Sequence, residues 1–214
     1  MHAQDRIGNS IAAIVADPIL HAKWLNTFSF LEYVGFRKIV KSQRAEALSA
    51  AVLNHALEEG RHALGLKKLA VKLGGLSFDS YAPETMLCGE EAEAYFQELD
   101  GACDEAFSAL PEAERAKLVY CYVTWLIERR ALDVYGVYKQ ALGASEIARK
   151  LDGLLAEEIR HLAEVEAWLQ AGDPGFPTRS KEFEAVEARL YDTFVEALAR
   201  DLAQRKPLAA PVPA

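Results

Sequence analysis

Two copies of one pentapeptide, Glu58-Glu59-Gly60-Arg61-His62 and Glu157-Glu158-Ile159-Arg160-His161, constrain the fold of this 214-residue chain more than any other feature. Each holds a Glu-x-x-His. On an α-helix residues i and i+3 share a face about one turn apart, so a carboxylate oxygen and an imidazole nitrogen can reach one metal ion. Two copies imply two ions. A single Glu-x-x-His in a chain with 32 acidic residues reads equally well as a solvated helix face, so the signal lies in the recurrence.

In helical bundles that hold two iron or manganese ions, two helices each give a Glu-x-x-His and the other two give one Glu each. The lone acids are found where that rule needs them. Phe28-Ser29-Phe30-Leu31-Glu32-Tyr33-Val34 sets one carboxylate in an apolar helical stretch upstream of the first copy, and Cys121-Tyr122-Val123-Thr124-Trp125-Leu126-Ile127-Glu128 does so upstream of the second. An acid among large apolar residues needs a partner. The order Glu32, Glu59/His62, Glu128, Glu158/His161 has separations of 27 and 30 residues, so each half reads as a helical hairpin carrying half a site. His55, one turn before Glu59, reads as a satisfied or exposed helical histidine, with a third-ligand role or a donor role behind the ligands as alternatives. His2 and His21 carry no signal.

With these residues the chain resembles the ferritin-like di-iron carboxylate proteins, from about Pro18 to Ala171. The Glu-Glu-x-Arg-His form is most similar to their O2-activating branch, the bacterial monooxygenases and acyl desaturases. The resemblance implies metal ligands Glu32, Glu59, His62, Glu128, Glu158 and His161. Glu59 and Glu158 would bridge, Glu32 and Glu128 would be terminal, and each ion would take one histidine. It also implies that Glu58 and Glu157 accept the second ring N–H of a ligand histidine, and that Arg61 and Arg160 pair with carboxylates around the site. Two departures narrow it. Leu66 and Val165 stand where the radical-forming ribonucleotide reductase subunits carry a Tyr one turn after the ligand His, which argues against a stored tyrosyl radical. Ala131 stands where rubrerythrins carry a further Glu.

Composition excludes other classes. With 51% hydrophobic and 26% charged residues the chain reads as one globular domain, and no apolar run approaches the ~20 residues of a membrane span. Met1-His2-Ala3-Gln4-Asp5-Arg6 lacks a signal-peptide layout, so a cytoplasmic location is expected. Cys88, Cys103 and Cys121 form no C-x-x-C, which fits a reducing compartment and leaves electrons to an external donor. A net charge of -8 makes nucleic acid a poor partner, and Lys67-Lys68 with Lys72, and Arg129-Arg130, read as solvated faces.

The expected fold is all-α: a ferritin-like four-helix bundle with one long crossover and a C-terminal fifth helix, in a single domain over 1–205 with a disordered tail over 206–214. Residues 6–15 predict a short helix over one end of the bundle. Asp17-Pro18 starts helix A, which runs to about Lys41; 42–44 form a link; helix B covers about 45–73 and stops at Gly74-Gly75. Residues 76–110, helical from 90 to 109, make the crossover that brings helix C parallel to B. Helix C runs from Pro111-Glu112 to Leu142 and ends at Gly143; Ser145 caps helix D, which ends near Gly172; Pro174-Gly175-Phe176-Pro177 breaks the chain before a fifth helix over 180–205. Glu128 and Glu158 then lie equally far from the C–D turn. Glu32 lies nearer its own turn than Glu59 does, which requires non-helical residues after Lys41 or a staggered hairpin.

Carboxylates and imidazoles around two ions suit iron first, with manganese as the alternative, and the resemblance implies O2 as a co-substrate. Phe28, Phe36, Thr124, Trp125 and Tyr135, with Leu25, Cys121 and Leu132, could line a dry pocket for a small or tethered organic substrate, or be ordinary bundle core. The leading expectation is an O2-dependent oxidase or oxygenase. The alternatives are a ferroxidase or iron-storage protein and a scaffold with structural metal. Such bundles are compatible with a homodimer, although the sequence shows no seam.

Overall fold

Asp17 starts the first long helix through its carboxylate, which accepts the N–H groups of Ile19 at 2.8 Å and Leu20 at 3.1 Å. The computed structural model describes residues 3–42 and 48–205. These residues form α1 (Ala3–Ala16), α2 (Pro18–Ser42), α3 (Ala50–Gly74), α4 (Gly89–Ala106), α5 (Glu112–Leu142), α6 (Glu146–Gly172) and α7 (Phe176–Gln204), with two single 3₁₀ turns at Leu76–Phe78 and Pro83–Thr85. Among the described residues the fold is all-α, as expected, with no strand. Among the described residues no helix is long and apolar enough to cross a membrane.

Local signals set most helix ends. Ser49 and Ser145 accept the N–H of Val52 and Ala148 at 3.2 and 3.1 Å. Gly75 and Gly143 follow α3 and α5 with φ of +86° and +56°, which only glycine adopts without strain. Four boundaries differ from expectation. The first helix starts at Ala3 rather than 6. Helix B starts at Ala50 rather than 45, with Leu48 and Ser49 non-helical; most of the expected link falls in 43–47, outside the described residues, as do Met1, His2 and the expected tail over 206–214. The crossover helix stops at Ala106, three residues early. The last helix starts at Phe176, before Ser180, because Pro177 lies in its first turn, where no intrahelical N–H is required.

The late start of α3 removes the register conflict. Glu32 now lies ten residues before the end of α2 and Glu59 nine after the start of α3, at about one height. Across α2 and α3, Ser29 meets Ala63 and Gly35 meets Glu59, so the pair is antiparallel. Glu58 meets His161 while Lys72 meets Glu146, so α3 and α6 are antiparallel too. Lys139 with Asp152 and Glu128 with His161 give the same for α5 and α6. Hence α3 and α5 run in one direction, and residues 75–111 return along the length of the set α2, α3, α5 and α6.

That returning segment is tied down by polar residues of α2. Asn26 donates to the carbonyls of Ser80 and Thr85 at 2.9 and 3.1 Å, Thr27 exchanges hydrogen bonds with the backbone of Leu87, and Tyr81 donates to the Ser29 carbonyl. Lys67 joins them at the Ser80 carbonyl and lies over the Tyr81 ring, while Lys72, Arg129 and Arg130 pair with Glu146, Glu184 and Glu187. Of the expected solvated basic faces, Lys68, Lys72 and Arg129 are indeed exposed, whereas Lys67 and Arg130 are partly buried and engaged in the fold. Helices α1, α4 and α7 pack on the α2/α5 side, and the core lies between them and the set α2, α3, α5 and α6.

Candidate metal centre

Four helices aim acids and imidazoles at one point halfway along their length. Glu32 comes from α2, Glu59 and His62 from α3, Glu128 from α5, and Glu158 and His161 from α6; all but Glu32 are at most 7% exposed. They fall into two groups. One is Glu32, Glu59, His62 and Glu158, the other His55, Glu59, Glu128 and His161, each with its ligand atoms within 4.8 Å of one another. Donor atoms ~2.0–2.2 Å from one ion lie about 3–4.4 Å apart, so each group has the dimensions of a single site. Glu59 belongs to both.

Distances show how the halves join. His62 Nδ1 is 2.9 Å from Glu158 Oε1 and 3.7 Å from Glu32, and His161 Nδ1 is 3.2 Å from Glu158 Oε2 and 3.8 Å from both Glu59 and Glu128. The two oxygens of Glu158 thus face the two imidazoles. On the other side α2 passes so close that a Cβ at Gly35 would lie 3.0 Å from Glu59 Oε2, so this glycine leaves room for the carboxylate.

The outer ring nitrogens are held crosswise. His161 Nε2 meets Glu58 Oε2 at 2.6 Å and His62 Nε2 meets Glu157 Oε2 at 2.7 Å, so each pentapeptide orients the histidine of the other. Arg160 donates to Glu58 at 2.8 Å, and Arg61 lies 3.4 and 3.6 Å from Glu58 and Glu157. These contacts leave both Nδ1 atoms facing the acids. Glu58, 8% exposed in its side chain, is held more firmly than Glu157 at 34%. Glu58→Ala is expected to weaken metal binding by roughly a hundredfold and Glu157→Ala by roughly tenfold, both at unchanged stoichiometry, as read by competitive titration.

His55 is a correction to the sequence reading. It is buried, its Nδ1 lies 2.8 Å from the Tyr120 hydroxyl, and its Nε2 lies 3.3 and 3.4 Å from Glu59 and Glu128. The signal was available, since 55, 59 and 62 are i, i+4 and i+7 on one helix stripe. His21 is a core residue against the Tyr138 hydroxyl. The site is therefore asymmetric, with one imidazole in the first group and two in the second. His55→Ala is expected to lower affinity for one ion and spare the other, splitting a titration into two separated steps.

The donor set fits two divalent cations. His55 Nε2, Glu59 Oε1 and His62 Nδ1 are buried and make no well-aligned hydrogen bond among the described residues, although His62 Nδ1 lies 2.9 Å from Glu158 and His55 Nε2 3.3 Å from Glu59, a convergence that a cation would satisfy better than the side chains satisfy one another. Four carboxylates also balance the charge of two divalent ions. Without cations, protons take their place. Burial, then the Glu32 charge, pushes the Glu59 carboxyl up to about 7, and burial raises Glu128 and Glu158 as well. Burial opposes charge on the ligand imidazoles, yet Glu158 and Glu32 push His62 up to about 12, and Glu128, Glu158 and Glu58 push His161 up to about 11. Burial also opposes charge on Glu58, but His161 and Arg160 hold it down at about 2. At neutral pH both imidazoles of the metal-free site are therefore protonated and must lose a proton to ligate. Metal binding is expected to release about two or more protons and to tighten as pH rises, measured by calorimetry in buffers of different ionisation enthalpy.

A cavity of about 100 Å³ opens on the carboxylate side of the site. Glu32, Glu59, Glu128 and Glu158 line one end and no histidine does. Of the expected pocket residues Phe28 and Tyr135 line it, and Tyr135 donates to Glu32 at 2.6 Å. Phe36, Thr124 and Trp125 do not. Phe36 packs against Gly60, Thr124 is half-buried, and Trp125 packs on Phe176 with the Arg129 guanidinium 4.6 Å above its ring. Leu25, Cys121 and Leu132 also lie off the lining. The far wall comes from residues the sequence did not single out: Ala92, Tyr95 and Phe96 of α4 and Tyr191 and Phe194 of α7.

No protein-family model matches this sequence, and neither a curated protein nor a solved structure matches it.

Proposed function

We propose that helices α2, α3, α5 and α6 are a ferritin-like bundle that binds two iron ions, with manganese as the alternative, and activates O2 to oxidise or oxygenate an organic substrate. The observation that carries this reading is Glu59, a buried carboxylate shared by two four-residue ligand groups. When bound, the two ions would supply the electrons for O2 reduction, and an external donor would restore them. The chain's own residues do the rest. Glu58 and Glu157 fix the imidazoles, the carboxylates hold the charge, and the Tyr135 hydroxyl donates a hydrogen bond to Glu32 and so orients it. The cavity beside the carboxylates supports an organic substrate, because beyond its four acids the wall is mostly aromatic and aliphatic.

The test is an anaerobic Fe(II) titration of metal-free protein followed by O2, with absorbance recorded over time. Saturation at about two irons per chain, a transient that decays and no further uptake would support the reading. Uptake of many irons per chain would make it a storage protein, and absence of binding would return the two pentapeptides to ordinary helix faces.

A further inference from the structure

The imidazole side of the candidate centre lies under a bare helix face. Leu53, Leu57, Arg61, Leu64, Lys68 and Lys72 follow one another at helical spacing along α3 and form a single stripe, and all six are exposed. Leu57 and Leu64, at 53% and 54%, are among the most exposed large apolar side chains of the described residues. Helices α2 and α6 flank α3, whereas α1, α4 and α7 pack on the α2/α5 side, so no described helix covers the stripe. Half-exposed leucines in one row with cations have the make-up of an interaction surface.

Charge is distributed as unevenly as the leucines. Helices α2 and α3 each carry four lysine or arginine residues, and their only acids are Glu32, Glu58 and Glu59, all at the candidate centre. In a chain of net charge -8 the acids lie elsewhere, and α4 alone has seven with no lysine or arginine. A second copy joined through the stripe about a two-fold axis would set cation against cation. A lipid surface would need the leucines to stand clear of the polar residues, but Arg61 sits between Leu57 and Leu64 and is drawn back toward Glu58 and Glu157, at 3.4 and 3.6 Å. An acidic protein surface with an apolar centre complements both features.

The stripe is also close to the ligands. Glu157, whose side chain is 34% exposed, lies beside Arg61 and meets His62 Nε2 at 2.7 Å, so a partner seated on Arg61 is one hydrogen bond and one imidazole from the ligand atoms. The cavity opens away from it. Helices α3 and α6 give only Glu59 and Glu158 to the cavity lining, and α2, α4, α5 and α7 give the rest. A partner on the stripe therefore reaches the ions and leaves the substrate side free.

We propose that the exposed stripe of α3 docks an acidic electron-carrier protein, the external donor that the centre requires. The donor role rests on the di-metal reading, while the docking surface does not. Two encounters, each oxidising the carrier by one electron, return two ferric ions to the ferrous state.

The experiment uses the full chain, metal-free and iron-loaded, with two probes, an acidic two-iron, two-sulfur ferredoxin and an acidic flavodoxin. Binding to the metal-free chain is read by calorimetry. At least one probe is expected to bind saturably, and more weakly as salt rises. Lys68→Glu, and Leu57→Ser combined with Leu64→Ser, should each weaken it by roughly fivefold to tenfold, whereas Glu98→Lys on the exposed side of α4 should have little effect. Reduction of the iron-loaded chain by that probe should slow in the same stripe variants, while reduction by dithionite, which needs no docking surface, should not. Saturable binding of neither probe, or binding indifferent to both stripe variants, overturns the proposal. Self-association that the stripe variants abolish, or stripe-dependent binding to phosphatidylglycerol vesicles tighter than to either probe, overturns it too, since the occupant would then be a second copy or a lipid surface. The iron titration is run on the same samples. Normal iron uptake without probe binding sinks the docking surface alone, whereas probe binding without iron uptake sinks the di-metal reading and with it the donor role.

Discussion

Glu59→Ala is expected to cost the protein both ions rather than one. Glu59 is the only residue common to the two ligand groups, and its Oε1 lies 3.3 Å from His55 Nε2 and 3.8 Å from His161 Nδ1. Removing it takes a charged ligand from each site, so uptake should fall from about two ions per chain to less than one at iron levels that saturate the parent. Glu158→Ala should behave alike, because its two oxygens face the two imidazoles. Glu32→Ala and Glu128→Ala, each confined to one group, should lose one ion selectively. Glu59→Ala that still holds one ion tightly would refute the shared role.

The same position separates function from folding. Burial and the neighbouring acids Glu32 and Glu158 raise the Glu59 carboxyl from 4.5 to about 7, outweighing His55, so the folded protein binds this proton more tightly than the unfolded chain does. A raised acid costs stability once pH passes its unfolded value, and the cost grows until the folded group titrates. Glu59→Gln keeps the volume and removes the charge. Metal-free Glu59→Gln should therefore melt higher than the metal-free parent, by a margin that widens between pH 4.5 and 7, while binding metal poorly. Lower stability across that window would mean that the carboxylate serves the fold rather than the ions.

How much of this was legible in the sequence follows from which contacts are local. Asp17, Ser145 and Gly143 act on their own helix ends, and the i,i+3 spacing of each pentapeptide is a property of one helix, so these features could be read directly. The start of α3 was less legible, because the signal at Ser49 competed with a good helical composition over 45–48. The pocket failed for a geometric reason. Residues one turn from a ligand point in different directions around the helix: Phe28, four before Glu32, faces α5, whereas Phe36, four after it, faces Gly60 of α3. Tyr95 and Tyr191 reach the cavity from helices distant in sequence, and nothing local marks them. Asn26, Thr27 and Ser29 interrupt an apolar stretch, a visible signal whose meaning became clear only with the returning segment lying against them.

The largest effect on stability is expected outside the metal centre, at Arg130 and Glu187. Glu187 of α7 is 5% exposed, takes both arms of the Arg130 guanidinium and accepts the Tyr95 hydroxyl, while Arg130 lies 4.1 Å over the Tyr191 ring. The cluster joins α4, α5 and α7 along the cavity wall. Breaking a buried pair by removing one partner typically costs about 3–5 kcal/mol, because the other charge stays behind unpaired. Arg130→Ala strands a carboxylate with only Tyr95 for company, and a melting temperature lower by roughly 6–20 °C follows at ~2–4 °C per kcal/mol. Glu187→Ala should cost less, because the Arg130 side chain is 24% exposed and keeps Asp133 at 3.7 Å. The double variant Arg130→Met with Glu187→Leu should recover most of the loss, since it removes both desolvation penalties and fills the space with apolar groups. Thermal melts of the three variants decide it: equal losses in all of them would mean that the cluster acts through packing alone. If the ordering holds, the pair's main service is to neutralise the single cation on the wall, which keeps the cavity free of charge except at its carboxylate end.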